Sequence, residues 1–128
     1  MVESDFNINQ YINKCPHLII TGSTGSGKSA LAKKYGENCF GGRVYVLDAV
    51  FDGGVDGFRE YIKQISHRKQ ELSLCIVENA DLLTTICQQA LRRIMEKQSH
   101  LIRFAFCVWD DPTTLIHAIH SRCVLIQM

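Results

Sequence analysis

The residues Gly22-Ser-Thr-Gly-Ser-Gly-Lys28-Ser29 form a complete G-x-x-x-x-G-K-[ST] stretch. By background residue usage such a match arises by chance in only roughly a few chains per thousand of this length. Gly22, Gly25 and Gly27 let the backbone wrap tightly, with Ser23, Thr24 and Ser26 filling the turn between them. A loop of this kind aims successive N–H groups at one point, and the positive end of a following helix adds to that field. The ligand it suits is a polyphosphate. Lys28 is placed to neutralise the β and γ phosphates, and the Ser29 hydroxyl to hold a magnesium ion, which makes ATP–Mg²⁺ the expected cargo. The competing reading is a Gly/Ser-rich turn that binds nothing. An apolar run on one side and a helical pattern on the other favour the nucleotide.

A phosphate loop also needs an acid at the end of a neighbouring strand, and hydrolysis needs a group that activates water. The run Leu72-Ser-Leu-Cys-Ile-Val77 leads into Glu78-Asn79-Ala80-Asp81, where both would stand. Glu78 can support magnesium. Asn79 is neutral, so it can orient a water but cannot take its proton. On this chemistry the site binds ATP–Mg²⁺ better than it cleaves it. Asp81 reads as a helix cap.

The elements that must position these residues alternate along the chain. Short apolar or β-branched runs at 17–21, 44–47, 72–77, 104–108 and 123–126 read as five strands. Helical periodicity falls between them. One helix covers 28–35 and stops at Gly36; another carries Val55, Phe58, Ile62 and Ile65; a third carries Leu83, Ile86, Cys87, Ala90, Leu91, Ile94 and Met95. Asp111-Pro112 is expected to cap and open a short helix running to about Ala118. Ser4 is expected to cap a further helix bearing Phe6, Ile8, Tyr11 and Ile12. Strands without clean alternation, separated by helices, indicate a parallel sheet covered on both faces.

From Glu78 onward the motifs resemble those of the AAA+ clamp-loader family, the small subunits of replication factor C in particular. Glu78-Asn-Ala-Asp-Leu-Leu is similar to the family's D-E-A-D box. Gln88-Gln-Ala-Leu-Arg-Arg-Ile-Met-Glu96 is similar to its A-Q-x-A-L-R-R-x-M-E helix. Arg103-Phe-Ala105 resembles the start of the sensor-1 strand, and Ser121-Arg122-Cys123 the S-R-C motif. Leu47-Asp48-Ala49, with Gly54-Val55 and Arg59 to Ile62, follows the N-A-S-D-E-R-G-I segment loosely. The resemblance implies a three-layer α/β/α P-loop core with a five-stranded parallel sheet in the order 5-1-4-3-2. It also implies an ATP site at a subunit interface. Arg122 would be an arginine finger acting in trans. Gln88, with Arg92 and Arg93 on the same helix, would couple the nucleotide site to a DNA-facing surface.

The departures bear on activity. Asn79 stands where the family has its catalytic Glu, and Glu78 replaces the magnesium-binding Asp. Val108 or Trp109 takes the place of the sensor-1 Asn. With the sequence ending after the fifth strand, residues 1–128 read as one truncated core without the family's helical lid and collar.

Composition narrows the partners. The chain has 128 residues, 46% hydrophobic and 21% charged, and 14 Lys+Arg against 13 Asp+Glu give a net charge of +1. That is the profile of one ordinary globular domain with no global positive field to draw it to nucleic acid or anionic membrane. DNA is a partner only through a local patch. No apolar run approaches the ~20 residues that span a bilayer, and no secretory signal opens the sequence. The six cysteines form no C-x-x-C pair and are expected as buried thiols in a reducing, intracellular compartment. Two classes of function stay open: a minimal DNA-dependent ATPase subunit completed by partners, or itself paired, and a nucleotide-holding interaction module with little turnover. A small P-loop kinase fits less well, since no arginine-rich lid follows the third strand. A stripped core of this type is as compatible with a large DNA virus as with a cell.

Overall fold

The computed structural model describes residues 15–23, 25–50, 58–60, 62–63, 71–109 and 111–128. Within them five parallel strands, β1 (His17–Thr21), β2 (Val44–Asp48), β3 (Ser73–Glu78), β4 (Ile102–Val108) and β5 (Cys123–Gln127), form one sheet. Its order is β2-β3-β4-β1-β5, as the motif resemblance implies. The helices are α1 (Lys28–Cys39), α2 (Thr85–Lys97) and the short α3 (His117–His120), with 3₁₀ turns at Ala80–Leu82 and Pro112–Thr114. Residues 58–60 and 62–63 are also helical. The expected helix before β1, with Val55 and Ile65, lies outside the described residues.

Side chains alternate across the strands, so the continuous apolar runs divide into two cores. Ile19, Leu47, Cys75, Val77, Phe104, Phe106 and Val108 point to one face, where Phe58, Ile62, Cys87, Leu91, Met95 and Ile119 cover them. Leu18, Ile20, Leu74, Ile76, Ala105, Cys107 and Ile126 point to the other, under Ala32, Tyr35 and Phe40. A sheet buried on both faces cannot show the period-two pattern of a half-exposed one.

Four expectations are corrected. Gly36 does not stop α1. It lies buried inside the helix, and a Cβ there would sit 2.2 Å from Val44 Cγ2, so the glycine permits close approach of α1 to β2. The helix instead ends three residues later, where Gly41 and Gly42 take φ values of 59° and 80° and the Gly42 N–H donates to the Gly36 carbonyl. The helix expected from Asp111 to Ala118 is broken in two. Asp111 does cap its opening, accepting from the Thr113 N–H at 2.9 Å, but Leu115 and Ile116 are extended. Leu115 is buried, and the Ile116 N–H is captured by Gln88 Oε1 at 2.7 Å, which replaces the helical bond. Finally, Ile86 is 69% exposed and belongs to no core, and Thr84, not Asp81, caps α2 by accepting from the Cys87 N–H.

His17 opens β1 and ties it to β4, its Nδ1 accepting from the Phe104 N–H at 3.0 Å. Burial, and then the nearby Arg103 and Arg122 guanidinium groups, push its pKa down from 6.5 to about 4. The unfolded chain therefore takes up the proton first. The stabilisation is complete above pH 6.5 and is lost as pH falls towards 4, by up to about 3 kcal/mol. Urea unfolding at stepped pH should show this loss, and His17→Asn, which keeps an acceptor but does not titrate, should remove that part of it.

Candidate functional site

The loop after β1 is built to leave donors unspent. Ser26 N–H closes a turn on the Ser23 carbonyl at 3.1 Å, and Gly25 and Gly27 adopt φ values of 84° and 94° that side chains resist. Gly27 is the N-cap of α1. It offers no side-chain acceptor, and no acidic residue occupies the first turn. The positive end of the helix thus faces the loop without a capping or acidic side chain of its own. Gly22 is required for a different reason: a Cβ there would meet Ser26 Oγ at 2.7 Å and Met128 Cβ at 2.9 Å. Thr24 lies outside the described residues.

A cavity of about 400 Å³ opens over this loop. Gly25, Gly27, Lys28, Ser29 and Ala30 line one side, and Glu78, Asn79, Asp81, Cys107 and Trp109 the other. Parallel register explains the meeting, because β1, β3 and β4 all end at the same edge and their following loops converge there. Lys28 Nζ donates to the Gly22 and Ser23 carbonyls at 2.7 and 3.1 Å. Ser29 Oγ is 2.9 Å from each carboxylate oxygen of Glu78.

These residues fit a magnesium–nucleotide. Ser26 Oγ is buried inside the loop beside Gly22, with no hydrogen-bond partner among the described residues. Ser29 and Glu78 form a hard oxygen pair. No group of three or more His, Cys, Asp or Glu side chains among the described residues could hold a metal by itself. Magnesium does not ask for one, since it keeps waters and phosphate oxygens and takes one or two protein ligands.

The activating position is less well furnished. Asn79 has left-handed backbone, φ 55°, and its Nδ2 donates to Asp48 Oδ1 at 3.0 Å. Asp48 ends β2 in register with Glu78, and this partner was not marked as functional in the sequence. The signal for it was the acid closing the second strand. Asp81, expected as a cap, lines the cavity. Between the two positions left open for sensor 1, Val108 is fully buried and Trp109 stands at the cavity, 57% exposed. Cys107 is no nucleophile: burial, helped by Glu78, pushes its thiol up to about 12.

The remaining expected residues lie elsewhere. Gln88 is buried, with Nε2 donating to the Leu83 and Thr114 carbonyls at 3.2 and 3.0 Å. Arg92 bonds Gln89 and Glu96 on its own helix, and Arg93 is exposed. Arg122 pairs with Glu96 at 2.5 Å and donates to the Ala118 carbonyl. It precedes Cys123, which is in register with His17 at the start of β1. The phosphate loop leaves the other end of that strand, roughly 15 Å away.

Fold and cavity together define an AAA+ P-loop core. Among solved structures, a DNA polymerase III gamma-subunit-related protein from Thermotoga maritima superposes with a TM-score of 0.73 at 15% identity, over 94% of this chain and 44% of that one. The RuvB Holliday junction branch migration motor of the same organism gives 0.71 at 12% identity, over 95% and 44%. By sequence the chain is a homologue of replication factor C small subunits, and so a clamp-loader-like AAA+ protein. It is 34% identical to replication factor C subunit 4 of Encephalitozoon cuniculi over 117 residues, 88% of this chain and 38% of that protein. With subunit 4 of Saccharomyces cerevisiae it shares 35% over 121 residues, 88% and 37%. With the small subunit of Aeropyrum pernix it shares 32% over 120 residues, 88% and 37%. The chain thus spans little more than a third of the curated relatives it matches. No protein-family model matches it. Among the described residues no helix is long and apolar enough to cross a membrane.

Proposed function

We propose that residues 1–128 act as one AAA+ core that binds ATP–Mg²⁺ at the β1–α1 loop, hydrolyses it slowly or not at all, and works through contacts with protein partners of a clamp-loader-like assembly. The observation that carries this reading is the contrast within the cavity. Its binding half has the open helix end, Lys28, and the Ser29–Glu78 pair. Its activating half offers Asn79, a neutral amide already engaged with Asp48. Lys28 would balance phosphate charge, and Ser29 and Glu78 would hold magnesium, which when bound supplies Lewis-acid stabilisation of the phosphate oxygens. Asn79 can orient a water but leaves its proton without an acceptor at that position.

A second reading, an active DNA-dependent ATPase subunit completed by partners or by a second copy, is favoured by one residue. Arg122 is too far from the cavity of its own chain, yet it stands at an outer edge where it could serve a neighbour's γ-phosphate. A near-neutral charge gives DNA no general pull on the chain. All six cysteines are carried as thiols, which suits a reducing intracellular compartment.

Trp109 is the only tryptophan and lines the cavity, so its fluorescence should change on titration with ATP–Mg²⁺. Calorimetry and phosphate release, measured in parallel, complete the test. In Asn79→Glu the new carboxylate would be repelled by Asp48 and driven towards the cavity, so turnover should rise well above the parent's. Parent turnover equal to that of Asn79→Glu would overturn the slow-site reading. An absence of binding at millimolar ATP would overturn the nucleotide reading itself.

A further inference from the structure

Two thiols lie against one another far from the cavity. Cys15 immediately precedes Pro16 and β1, and Cys39 is the last residue of α1. Cys15 Sγ donates to the Cys39 carbonyl oxygen at 3.5 Å, which brings the two residues side by side. Cys15 is buried, whereas Cys39 is half-buried and open to small reagents. The other cysteines lie apart from this pair. Cys75 and Cys107 sit inside β3 and β4, on opposite faces of the sheet, Cys87 lies on the buried side of α2, and Cys123 begins β5.

We propose that Cys15 and Cys39 are a reversible oxidation site, closed to an intrachain disulfide by a hydroperoxide. The Cys39 sulfur attacks one peroxide oxygen and the O–O bond breaks. This leaves a sulfenic acid on Cys39, and the second oxygen departs as water or an alcohol. The Cys15 sulfur then attacks the sulfenic sulfur. An S–S bond forms, the S–O bond breaks, and the hydroxyl leaves as water with the Cys15 proton. Two thiols and one peroxide thus give one disulfide, one water and one further water or alcohol. A small dithiol reverses it by exchange. Burial keeps both thiols protonated, with Cys39 raised to about 11. The reaction is therefore slow at neutral pH and faster in mild alkali.

The bond would enclose residues 16–38, which hold β1, the phosphate loop and most of α1. Oxidation would thus clamp the unit that carries the loop, at the end remote from the cavity.

The test treats the full chain with hydrogen peroxide at pH 8 and maps its peptides. The expected product links Cys15 to Cys39, with titratable thiols under denaturing conditions falling from six to four. The unfolding midpoint should rise by roughly 10 °C, as closing a loop of this length predicts, and return with dithiothreitol. Cys39→Ser and Cys15→Ser should each block both changes. A crosslink between other cysteines or between chains, over-oxidation of Cys39 alone, or a midpoint that stays or falls would each overturn the proposal.

Discussion

Lys28→Ala is expected to weaken ATP–Mg²⁺ binding at least about 100-fold while leaving the fold nearly as stable as before. The ammonium's present partners are two loop carbonyls at a partly exposed edge, so its loss leaves little buried and unpaired. Against a polyphosphate the same group makes charge-assisted hydrogen bonds worth roughly 1.5–3 kcal/mol each, and two such bonds correspond to a factor of about 10² or more. Trp109 fluorescence and calorimetry would read the affinity, and urea unfolding the stability. Ser29→Ala provides the internal control. It removes the hydroxyl facing both Glu78 oxygens, so its loss of affinity should be large with magnesium and small when the ion is chelated. A Lys28→Ala protein that bound ATP–Mg²⁺ like the parent would place the nucleotide elsewhere or nowhere.

What the residues told in advance depended on whether the relevant physics is local. The phosphate loop is local: eight consecutive residues fix a turn, a glycine cap and a lysine, and these stand between β1 and α1 as the motif requires. Strand runs were equally legible, because residues buried on both faces must be apolar. Gly36 was misread because a glycine beside a helix's last periodic residue is indistinguishable, in sequence, from one forced by a strand crossing underneath. Ile86 sits in the first turn of α2 and is left exposed, while the buried stripe of that helix runs through Cys87, Ala90, Leu91 and Met95. Asp48 was hidden in the loosest part of the family resemblance. Only the β2–β3 register shows that it stands beside Glu78 and within reach of Asn79.

Gln88→Leu is expected to cost about 3 kcal/mol or more in stability, a larger effect than its conservative volume suggests. One side chain satisfies three backbone groups from two segments: the Leu83 carbonyl before α2, and the Thr114 carbonyl and Ile116 N–H ahead of α3. Leucine fills the same space but leaves all three unpaired, and each orphaned group costs about 1–3 kcal/mol, less where water can return. Gln88→Glu should hardly do better. Its carboxylate can still accept from Ile116 but would face two carbonyl oxygens with no proton to offer. The consequence for function follows from what the clamp joins. Leu83 closes the turn that begins with Asn79 and Asp81 at the cavity. Thr114 and Ile116 lead into α3 and Arg122. Gln88 thus bridges the cavity's acidic side and the segment that leads to the edge arginine. Urea unfolding should register the full loss, and amide exchange at Ile116 should accelerate most. ATP–Mg²⁺ affinity should change far less, because Lys28, Ser29 and Glu78 are held by β1, α1 and β3 without help from Gln88. A variant that lost binding in proportion to stability would show that the clamp supports the phosphate loop itself.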